Sequence, residues 1–284
     1  MASAASEAPA AETPPPAKGR LVLRHRLATR LWHWLNALTL FVMLMSGLMI
    51  FNAHPRLYWG QYGANFDRPW LQIGATPTTG IVQIGDRRFD TTGVLGRWKD
   101  RDGQERTRAF PWWATIPSYY DLAGARRWHL AFAWLLVVPG LLYWLWSFAS
   151  GHARRDLAPR RAELAPRHIW QDVKDHARLR FPRGEAALRY NILQKLAYCS
   201  VLFGLLPLIV LTGLTMSPAM DAAWPWLLTL FGGRASARSI HFLCAMGLVT
   251  FIVVHLAMVL LAGPYNEIRS MITGRYRIRP EAGA

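Results

Sequence analysis

Residues 241–255 read HFLCAMGLVTFIVVH, an apolar stretch with a histidine at each end. A separation of 14 residues is nearly four turns of an α-helix, so both imidazoles leave one face, about 21 Å apart along the axis. The surrounding residues 240–262 contain no Asp or Glu and are long enough to cross a bilayer, which takes about 20 apolar residues. The stretch therefore predicts a transmembrane helix that carries histidines at two depths.

Three further stretches have the same length and lack of carboxylates, at residues 31–51, 129–148 and 190–216. Together the four predict an all-α membrane protein, a four-transmembrane-helix bundle in which residues 20–284 form one membrane domain. Residues 1–19 are rich in Ala, Pro and Glu and contain no apolar run. They are predicted to be a disordered cytoplasmic tail and not a signal peptide.

The formal net charge of +16 is distributed among the loops and does not form one stripe, which argues against a nucleic-acid-binding protein. Lys and Arg number five before the first helix, ten in residues 149–189, four after the fourth helix and only two between the third and fourth. The positive-inside rule then places both termini and the basic loop 149–189 in the cytoplasm.

The connection at residues 52–127 also carries 11 basic residues. It exceeds about 60 residues, however, and loops of that length cross the membrane largely regardless of charge, so it is predicted to be a periplasmic insertion. Its Gly and Pro punctuation and the alternation in residues 80–84 (GIVQI) indicate a small irregular cap with a short hairpin on the membrane surface. Trp112 and Trp113 belong either to an interfacial aromatic belt or to a docking surface for a partner.

Four of the nine histidines lie inside the predicted helices, and helix direction fixes their depths. The first helix enters from the cytoplasm and the second from outside, so His33 lies near the inner face and His129 near the outer face. In the fourth helix His241 is outer and His255 is inner. The predicted pairs are therefore His129 with His241 and His33 with His255. The other five histidines lie in loops beside basic residues and are predicted to be solvated.

An ionisable side chain inside the membrane is costly and indicates function, although a lone histidine also forms interhelical hydrogen bonds. Two neutral imidazoles suit a haem that only carries electrons, because both axial positions are filled. We therefore predict two b-type haems, ligated by the outer and inner histidine pairs, and no catalytic residue. The competing metal is zinc, which would need a tetrahedral cluster with more than two protein ligands.

Both cysteines lie in the predicted helices, and two of the helical glycines lie at the depth of the outer histidines. No C-x-x-C-H run for covalent haem attachment exists, and Cys199 and Cys244 are predicted to be small buried hydrophobic residues. Gly47 follows His33 by 14 residues on the same helix face, and Gly213 lies at a similar depth. These glycines would let the outer haem approach the backbone or would let two helices pack closely.

Arginines accompany the histidines. Haem propionates are the predicted partners of four of them, Arg30, Arg126, Arg127 and Arg238. In the alternative, the last three form a basic funnel that leads a small acceptor to the outer haem.

These residues resemble the bacterial di-haem cytochrome b family, which includes the membrane subunits of nickel-iron hydrogenases, the gamma subunit of formate dehydrogenase and cytochrome b561-like proteins. The matching features cover all four helices. They are Arg30-x-x-His33-Trp34, a histidine that opens the second helix, Tyr190-Asn191-x-x-Gln194-Lys195, Thr212-Gly213, and the spacing of His241 and His255. The resemblance implies a four-helix core with two b haems, ligated in the pairs predicted from depth.

In formate dehydrogenase a menaquinone site lies near the asparagine of the third-helix motif, and the resemblance carries this role to Asn191. Gln194 and Lys195 fall within about one turn of it and are predicted to complete a quinone site at the cytoplasmic interface. Alternatively, Asn191 caps the helix and Lys195 snorkels to the headgroups. The long insertion and the basic loop resemble the cytochrome b partners of periplasmic molybdenum oxidoreductases.

The predicted function is electron transfer between a periplasmic redox protein, such as a molybdenum oxidoreductase, and the quinone pool. The alternative is a self-contained quinone-linked oxidoreductase that acts on superoxide or a small acceptor at the outer face. A transporter is disfavoured because the helices lack the carboxylates that couple ions, and Pro139 and Pro207 alone carry little weight. Assembly into a homo-oligomer is left open.

Overall fold

A computed structural model describes residues 19–64, 66–182 and 184–278. Four helical segments in it are long and apolar enough to cross a membrane: Leu27–Phe51, Leu122–Ala149, Gly184–Thr215 and Arg234–Ala262. The prediction of four membrane-spanning helices is therefore confirmed, whereas the prediction of an all-α protein is wrong, because the described residues also form eight short strands and the protein is mainly α. Most of the predicted tail, residues 1–18, lies outside the described residues.

Nine α-helices and eight strands occur in the described part of the chain. The helices are α1 (Leu27–Phe51), α2 (Leu122–Ala149), α3 (Pro166–Ala177), α4 (Ile192–Ser200), α5 (Leu206–Thr215), α6 (Pro218–Ala223), α7 (Pro225–Leu230), α8 (Arg234–Ala262) and α9 (Pro264–Thr273). The strands are β1 (Arg20–Leu23), β2 (Arg56–Leu57), β3 (Leu71–Ala75), β4 (Gly80–Ile84), β5 (Arg87–Asp90), β6 (Trp98–Lys99), β7 (Glu105–Arg106) and β8 (Arg275–Ile278).

Three of the spans begin one to two turns before the apolar stretches that predict them. The first turns of α1, α2 and α8 contain arginines, which are good helix formers and whose long stems bring the charge to water. The start of α2 is fixed by Asp121, whose side chain accepts a hydrogen bond from the Gly124 amide. These three helices therefore begin among polar residues, before the apolar stretch that spans the membrane.

The third span is not a uniform α-helix. It consists of α4, a π-helical segment at Val201–Leu205, and α5, which carries Pro207 in its first turn. Proline has no amide hydrogen and its ring crowds the carbonyl four residues earlier, so an α-helix does not pass through it undisturbed. The π segment absorbs this irregularity at the position where the proline requires it.

The four spans pack as two intimate pairs, α1 with α2 and α5 with α8. Their common core is apolar, and its buried members are Trp32, Leu136, Tyr143, Val201, Leu206 and Leu248. Trp32 of α1 stacks on Tyr143 of α2 with ring centroids 5.5 Å apart. Leu248 lies seven residues from each histidine of α8, so this core separates the two histidine depths.

One end of the bundle, named here the inner end, holds both termini of the described chain. Strand β1 pairs antiparallel with β8, from Arg20 opposite Ile278 to Leu23 opposite Arg275. Beside them Arg24 forms an ion pair of 2.7 Å with Glu267 of α9. Because α1 begins and α8 ends beside this strand pair, α8 begins at the opposite end of the bundle, named the outer end.

The outer end carries the segment that joins α1 to α2. It forms a four-stranded antiparallel sheet in the order β2-β3-β4-β5 and a separate β6-β7 pair, so it is more ordered than the irregular cap that the sequence predicts. Leu57, Leu71 and Ile73 are buried beneath the sheet together with Phe51 of α1, and Phe242 of α8 packs against them. A shared core therefore holds the sheet on the bundle.

Candidate cofactor site

His129 of α2 and His241 of α8 face each other near the outer end, with ring centroids 6.3 Å apart and ring planes at 57°. In each ring Nδ1 lies within hydrogen-bond distance of a carbonyl oxygen on the neighbouring helix, 3.1 Å from Met43 O for His129 and 3.0 Å from Ile209 O for His241. A carbonyl oxygen only accepts, so Nδ1 of each ring carries the proton and donates it. Nε2 of each ring is left with a free lone pair, which is the form that binds a metal.

The two partner helices present these imidazoles with the same local pattern. In residues 43–47 (MLMSG) and 209–213 (IVLTG), a carbonyl, a hydroxyl and a glycine follow at positions i, i+3 and i+4 on one helix face. Ser46 Oγ lies 3.1 Å from the His129 Nδ1, and Thr212 Oγ1 lies 3.2 Å from the His241 Nδ1. We call these two stretches the histidine cradles.

The glycines of the histidine cradles lie against the imidazole rings. A Cβ added at Gly47 would lie 3.3 Å from Cε1 of His129, and one added at Gly213 would lie 3.4 Å from Cε1 of His241. The sequence left open whether these glycines serve a haem or helix packing. The structure places both against the outer histidines, so their lack of a side chain decides how closely each ring approaches the neighbouring helix.

The inner pair, His33 of α1 and His255 of α8, has ring centroids 6.2 Å apart and ring planes at 60°. Phe251 stacks on His255 at 5.7 Å, and Trp34 meets His33 edge-on at 5.1 Å. The Nδ1 of His33 is buried without a hydrogen-bond partner. The structure thus brings together the same two pairs that helix depth predicts, but it supports only the outer rings through Nδ1.

Both pairs fit a metal bound between two imidazoles. A metal at about 2 Å from each nitrogen separates the ring centroids by roughly 6 Å, which matches both observed separations. Within residues 19–64, 66–182 and 184–278, no three His, Cys, Asp or Glu side chains converge as metal ligands. The competing zinc interpretation needs such a cluster and has none there. Two-histidine ligation of a flat macrocycle fits the residues that are present.

The four arginines predicted to meet propionates have different surroundings. Arg30 donates to the carbonyl of Ile272, and Arg238 donates to the carbonyl of His54. Each precedes a paired histidine by three residues, so it lies one turn nearer the membrane surface on the same face. Arg126 and Arg127 are exposed at the outer end.

The three residues predicted to bind quinone lie together at the inner end but bond mainly to protein groups. Asn191 and Gln194 form a reciprocal capping box, in which Asn191 Oδ1 accepts from the Gln194 amide at 2.8 Å. The Asn191 Nδ2 lies 3.2 Å from Nε2 of His176. The capping alternative for Asn191 is therefore present in the structure.

Lys195 does not snorkel to the headgroups, because it is buried and its ammonium donates to both carboxylate oxygens of Glu163 at 2.8 Å. Burial raises the pKa of Glu163, but hydrogen bonds from the Arg160 amide and from Lys195 outweigh it and leave the pKa below its ordinary 4.5. No sequence pattern indicates this pair, since the two residues are 32 positions apart.

Replacing Glu163 by Gln is expected to destabilise the inner end by about 2 kcal/mol, because a buried ammonium loses its counter-charge while a hydrogen-bond acceptor remains. The measurement is the thermal midpoint in detergent. Glu185→Gln is the matched control, since its ion pair with Arg20 is exposed and should change the midpoint little. Equal midpoints for the two variants would contradict the buried pair. Because the folded-state pKa of Glu163 is lowered, the wild-type advantage should be present above about pH 4.5 and lost below it.

Aromatic rings connect the start of α4 with the inner pair. Tyr190 contacts Tyr198 at 5.3 Å, Tyr198 contacts Phe251 at 6.3 Å, and Phe251 stacks on His255. His25 also stacks on Tyr190 at 6.4 Å. The quinone candidates are thus joined to the inner histidines by packed side chains.

The prediction that the five loop histidines are solvated is wrong for His25 and His152, which are both buried. Burial lowers the pKa of His25 to about 4. His152 lies 2.6 Å from Asp156 through its Nδ1. Adjacent arginines suggested exposure, but the pairing of β1 with β8 and the turn after α2 fold over these rings, which no local pattern indicates.

The family model for prokaryotic cytochrome b561 matches residues 24–274. The chain belongs to the prokaryotic cytochrome b561 family. The predicted resemblance is thereby confirmed, and as a cytochrome b561 the chain is an integral membrane protein that binds b-type haem and takes part in electron transfer. Its cysteines are free in the structure; Cys244 is buried, as the sequence predicts, whereas Cys199 is only partly buried.

A curated relative of this cytochrome b561 is the "Putative protein-methionine-sulfoxide reductase subunit YedZ1" of Azospira oryzae. The two are 36% identical over 140 residues, which is 49% of this chain and 67% of the relative. No solved structure gives a significant match.

Proposed function

We propose that this cytochrome b561 binds two b haems, one between His129 and His241 and one between His33 and His255. The observation that carries the proposal is the geometry of the two histidine pairs, each spaced for one metal and separated by about 21 Å on α8. Haem held by these histidines would supply one-electron transfer, and a haem held by two imidazoles would have no open site for substrate. The chain then connects redox reactions at the two faces of the membrane.

At the inner end we propose a quinone site beside Asn191, Gln194 and Lys195. The Asn191 amide is the best donor to a quinone carbonyl, because its Nδ2 contacts only the ring of His176, which a ligand can displace. The buried Lys195–Glu163 pair holds an acid–base couple next to it. The aromatic contacts from Tyr190 to His255 support electron transfer from this position to the inner pair.

An Asn191→Ser variant tests this site without breaking the helix start, because serine also caps helices. We expect both haems to remain with normal spectra while their reduction by quinol slows about tenfold or more, since the amide donor is gone. Asn266→Ser is the control, because Asn266 is a partly exposed asparagine of α9 whose side chain bonds to the backbone of Arg277. Quinol kinetics equal to wild type in Asn191→Ser would contradict a quinone site at Asn191 and would favour one at the outer end.

At the outer end we propose a periplasmic redox protein as the electron partner, with a molybdenum oxidoreductase as the class that the family resemblance suggests. The relative named as a reductase subunit supports a multi-subunit arrangement. The ordered sheet, with Trp113 and Tyr119 exposed beside it, supports a protein contact at this end.

The second candidate is direct reduction or oxidation of a small anion such as superoxide. The exposed Arg126 and Arg127 favour it, while Arg238 is engaged with His54. An Arg126→Gln/Arg127→Gln variant separates the two. It should react normally with a protein partner, but more slowly with superoxide if the arginines guide that anion.

We propose that the inner end faces the cytoplasm and that the protein lies in a bacterial inner membrane, on the basic-residue asymmetry. A reporter fused after Ala284, a position outside the described residues, should be active only in its cytoplasmic form. A cysteine placed at Trp112 should react with a membrane-impermeant reagent in intact, outer-membrane-permeabilised cells. The reverse pattern would invert the proposed electron route.

A further inference from the structure

Among the described residues at the outer end, two buried polar atoms have no hydrogen-bond partner. They are the hydroxyl of Tyr58, whose side chain is only 5% exposed, and Nε2 of His54. The two rings stack with centroids 5.9 Å apart and an interplanar angle of 25°. A buried hydroxyl and a buried ring nitrogen each lose hydrogen bonds to water. Their burial costs free energy unless each has a hydrogen-bond partner beside it.

A third donor, Arg238, lies beside these rings. It donates to the His54 carbonyl, and its guanidinium lies 5.6 Å from the Phe51 ring centroid. In the described parts of the chain Arg238 is partly buried and has no carboxylate partner. The cluster therefore provides three hydrogen-bond donors, a guanidinium, a phenol and an imidazole, and within the described residues no carboxylate accepts from them.

The position of the cluster relative to the outer histidines is fixed by α8. Arg238 precedes His241 by three residues and lies about one turn further toward the outer end on the same face. Ser239 donates to the Tyr58 carbonyl at 2.6 Å and accepts from Nε1 of Trp70 at 3.0 Å. These bonds anchor the start of the insertion to the first turns of α8, directly above the outer pair.

We propose that Tyr58 and His54 of the insertion, together with Arg238, bind the propionate carboxylates of the haem held by His129 and His241. This inference rests on the proposed function. A carboxylate has about four lone-pair sites and accepts from all three donors, and charge-assisted hydrogen bonds are the strong ones. The insertion is then part of the outer haem site and not only a surface for a partner.

The proposal has a defined electrochemical consequence. Negative propionates oppose the arrival of an electron at the haem, and donors that neutralise them favour the reduced state. Losing the Tyr58 hydroxyl should therefore lower the midpoint potential of the outer haem and leave the inner haem unchanged. We expect the reduced-to-oxidised ratio of the outer haem at fixed potential to fall about three- to tenfold, the range for part of one hydrogen bond to a charged group.

The test is a spectroscopic redox titration of the purified holoprotein with Tyr58→Phe and His54→Phe, which keep both stacked rings. Tyr62→Phe is the control, because Tyr62 is in the same segment but 79% exposed. The outer haem is recognised by the spectral component that His129→Ala removes. A fall confined to this component in either variant, with wild-type behaviour of the control, supports the proposal.

Two haems with unchanged potentials in both variants would overturn the propionate site while leaving the proposed function intact. An equal shift of both haems would also overturn it, because a general structural change moves both. If one variant fails to fold, the other decides alone. A wild-type protein without two haems would instead refute the proposed function.

Discussion

A single histidine-to-alanine substitution at any of four positions is expected to remove one haem and to leave the other bound; the positions are His33, His129, His241 and His255. Each proposed haem has its own axial pair, and the pairs are separated by about four helical turns and an apolar core. Losing one imidazole leaves one axial position empty and one buried pocket without its ligand. The other haem should stay bound, because the two histidine pairs share no side chain.

The measurement is the reduced-minus-oxidised visible spectrum of each purified variant, with haem counted per chain. The His33 and His255 variants should lose one spectral component, and the His129 and His241 variants should lose the other. His168→Ala is the control, because His168 is exposed on α3. Four variants that keep both haems would contradict the ligand assignment, and a loss that groups His33 with His129 would contradict the pairing.

Replacing Gly47 or Gly213 by valine is expected to abolish binding of the outer haem only. An added Cβ alone would lie 3.3 Å from the His129 ring or 3.4 Å from the His241 ring, so alanine requires a shift of a few tenths of an ångström. The two further methyl groups of valine would press the imidazole out of its staggered rotamer and away from the carbonyl that orients it. Alanine should therefore weaken haem retention, and valine should remove it.

Haem content per chain and the spectral component that survives are the measurements for this series. Gly204→Val is the matched control, because a Cβ at this intramembrane glycine would meet nothing within 4 Å. Loss of the inner component in a Gly47 or Gly213 variant would contradict the placement of the histidine cradles. Full haem content in both valine variants would show that haem binding does not require the imidazoles of His129 and His241 to lie where the structure places them.

Much of the membrane core follows from the sequence because the bilayer imposes simple rules. Length and the absence of carboxylates were enough to find all four spans. Alternating helix direction was enough to bring His129 beside His241 and His33 beside His255. The spans begin earlier than predicted because helix propensity and capping, not hydropathy, decide where a helix starts.

The contacts outside the membrane core could not be predicted from the sequence, since they join residues far apart in the chain. The sheet at the outer end is interrupted by glycines and prolines, so only residues 80–84 show clear alternation. Lys195 pairs with Glu163, and Arg238 meets the backbone of His54, across 32 and 184 positions. Local patterns carry no information on such pairs.

The two histidine cradles were partly visible in the sequence. Gly47 and Gly213 were predicted to lie at the depth of the outer haem, and Thr212 belongs to a matching motif, but no sequence pattern linked the hydroxyls of Ser46 and Thr212 to the histidines, because hydroxyls in membrane helices commonly bond to their own backbone. Thr212 does so as well, donating to Leu208. Only the structure places both hydroxyls and both carbonyls on the Nδ1 side of the outer rings.

One chain is proposed to hold two bis-histidine b haems. The most direct measurement is the haem-to-protein ratio of the purified protein, determined by pyridine haemochrome absorbance and amino-acid analysis, together with electron paramagnetic resonance of the oxidised form. We expect two b haems per chain, both low-spin with nitrogen axial ligands. A ratio of one, or a high-spin haem with an open axial position, would contradict this expectation.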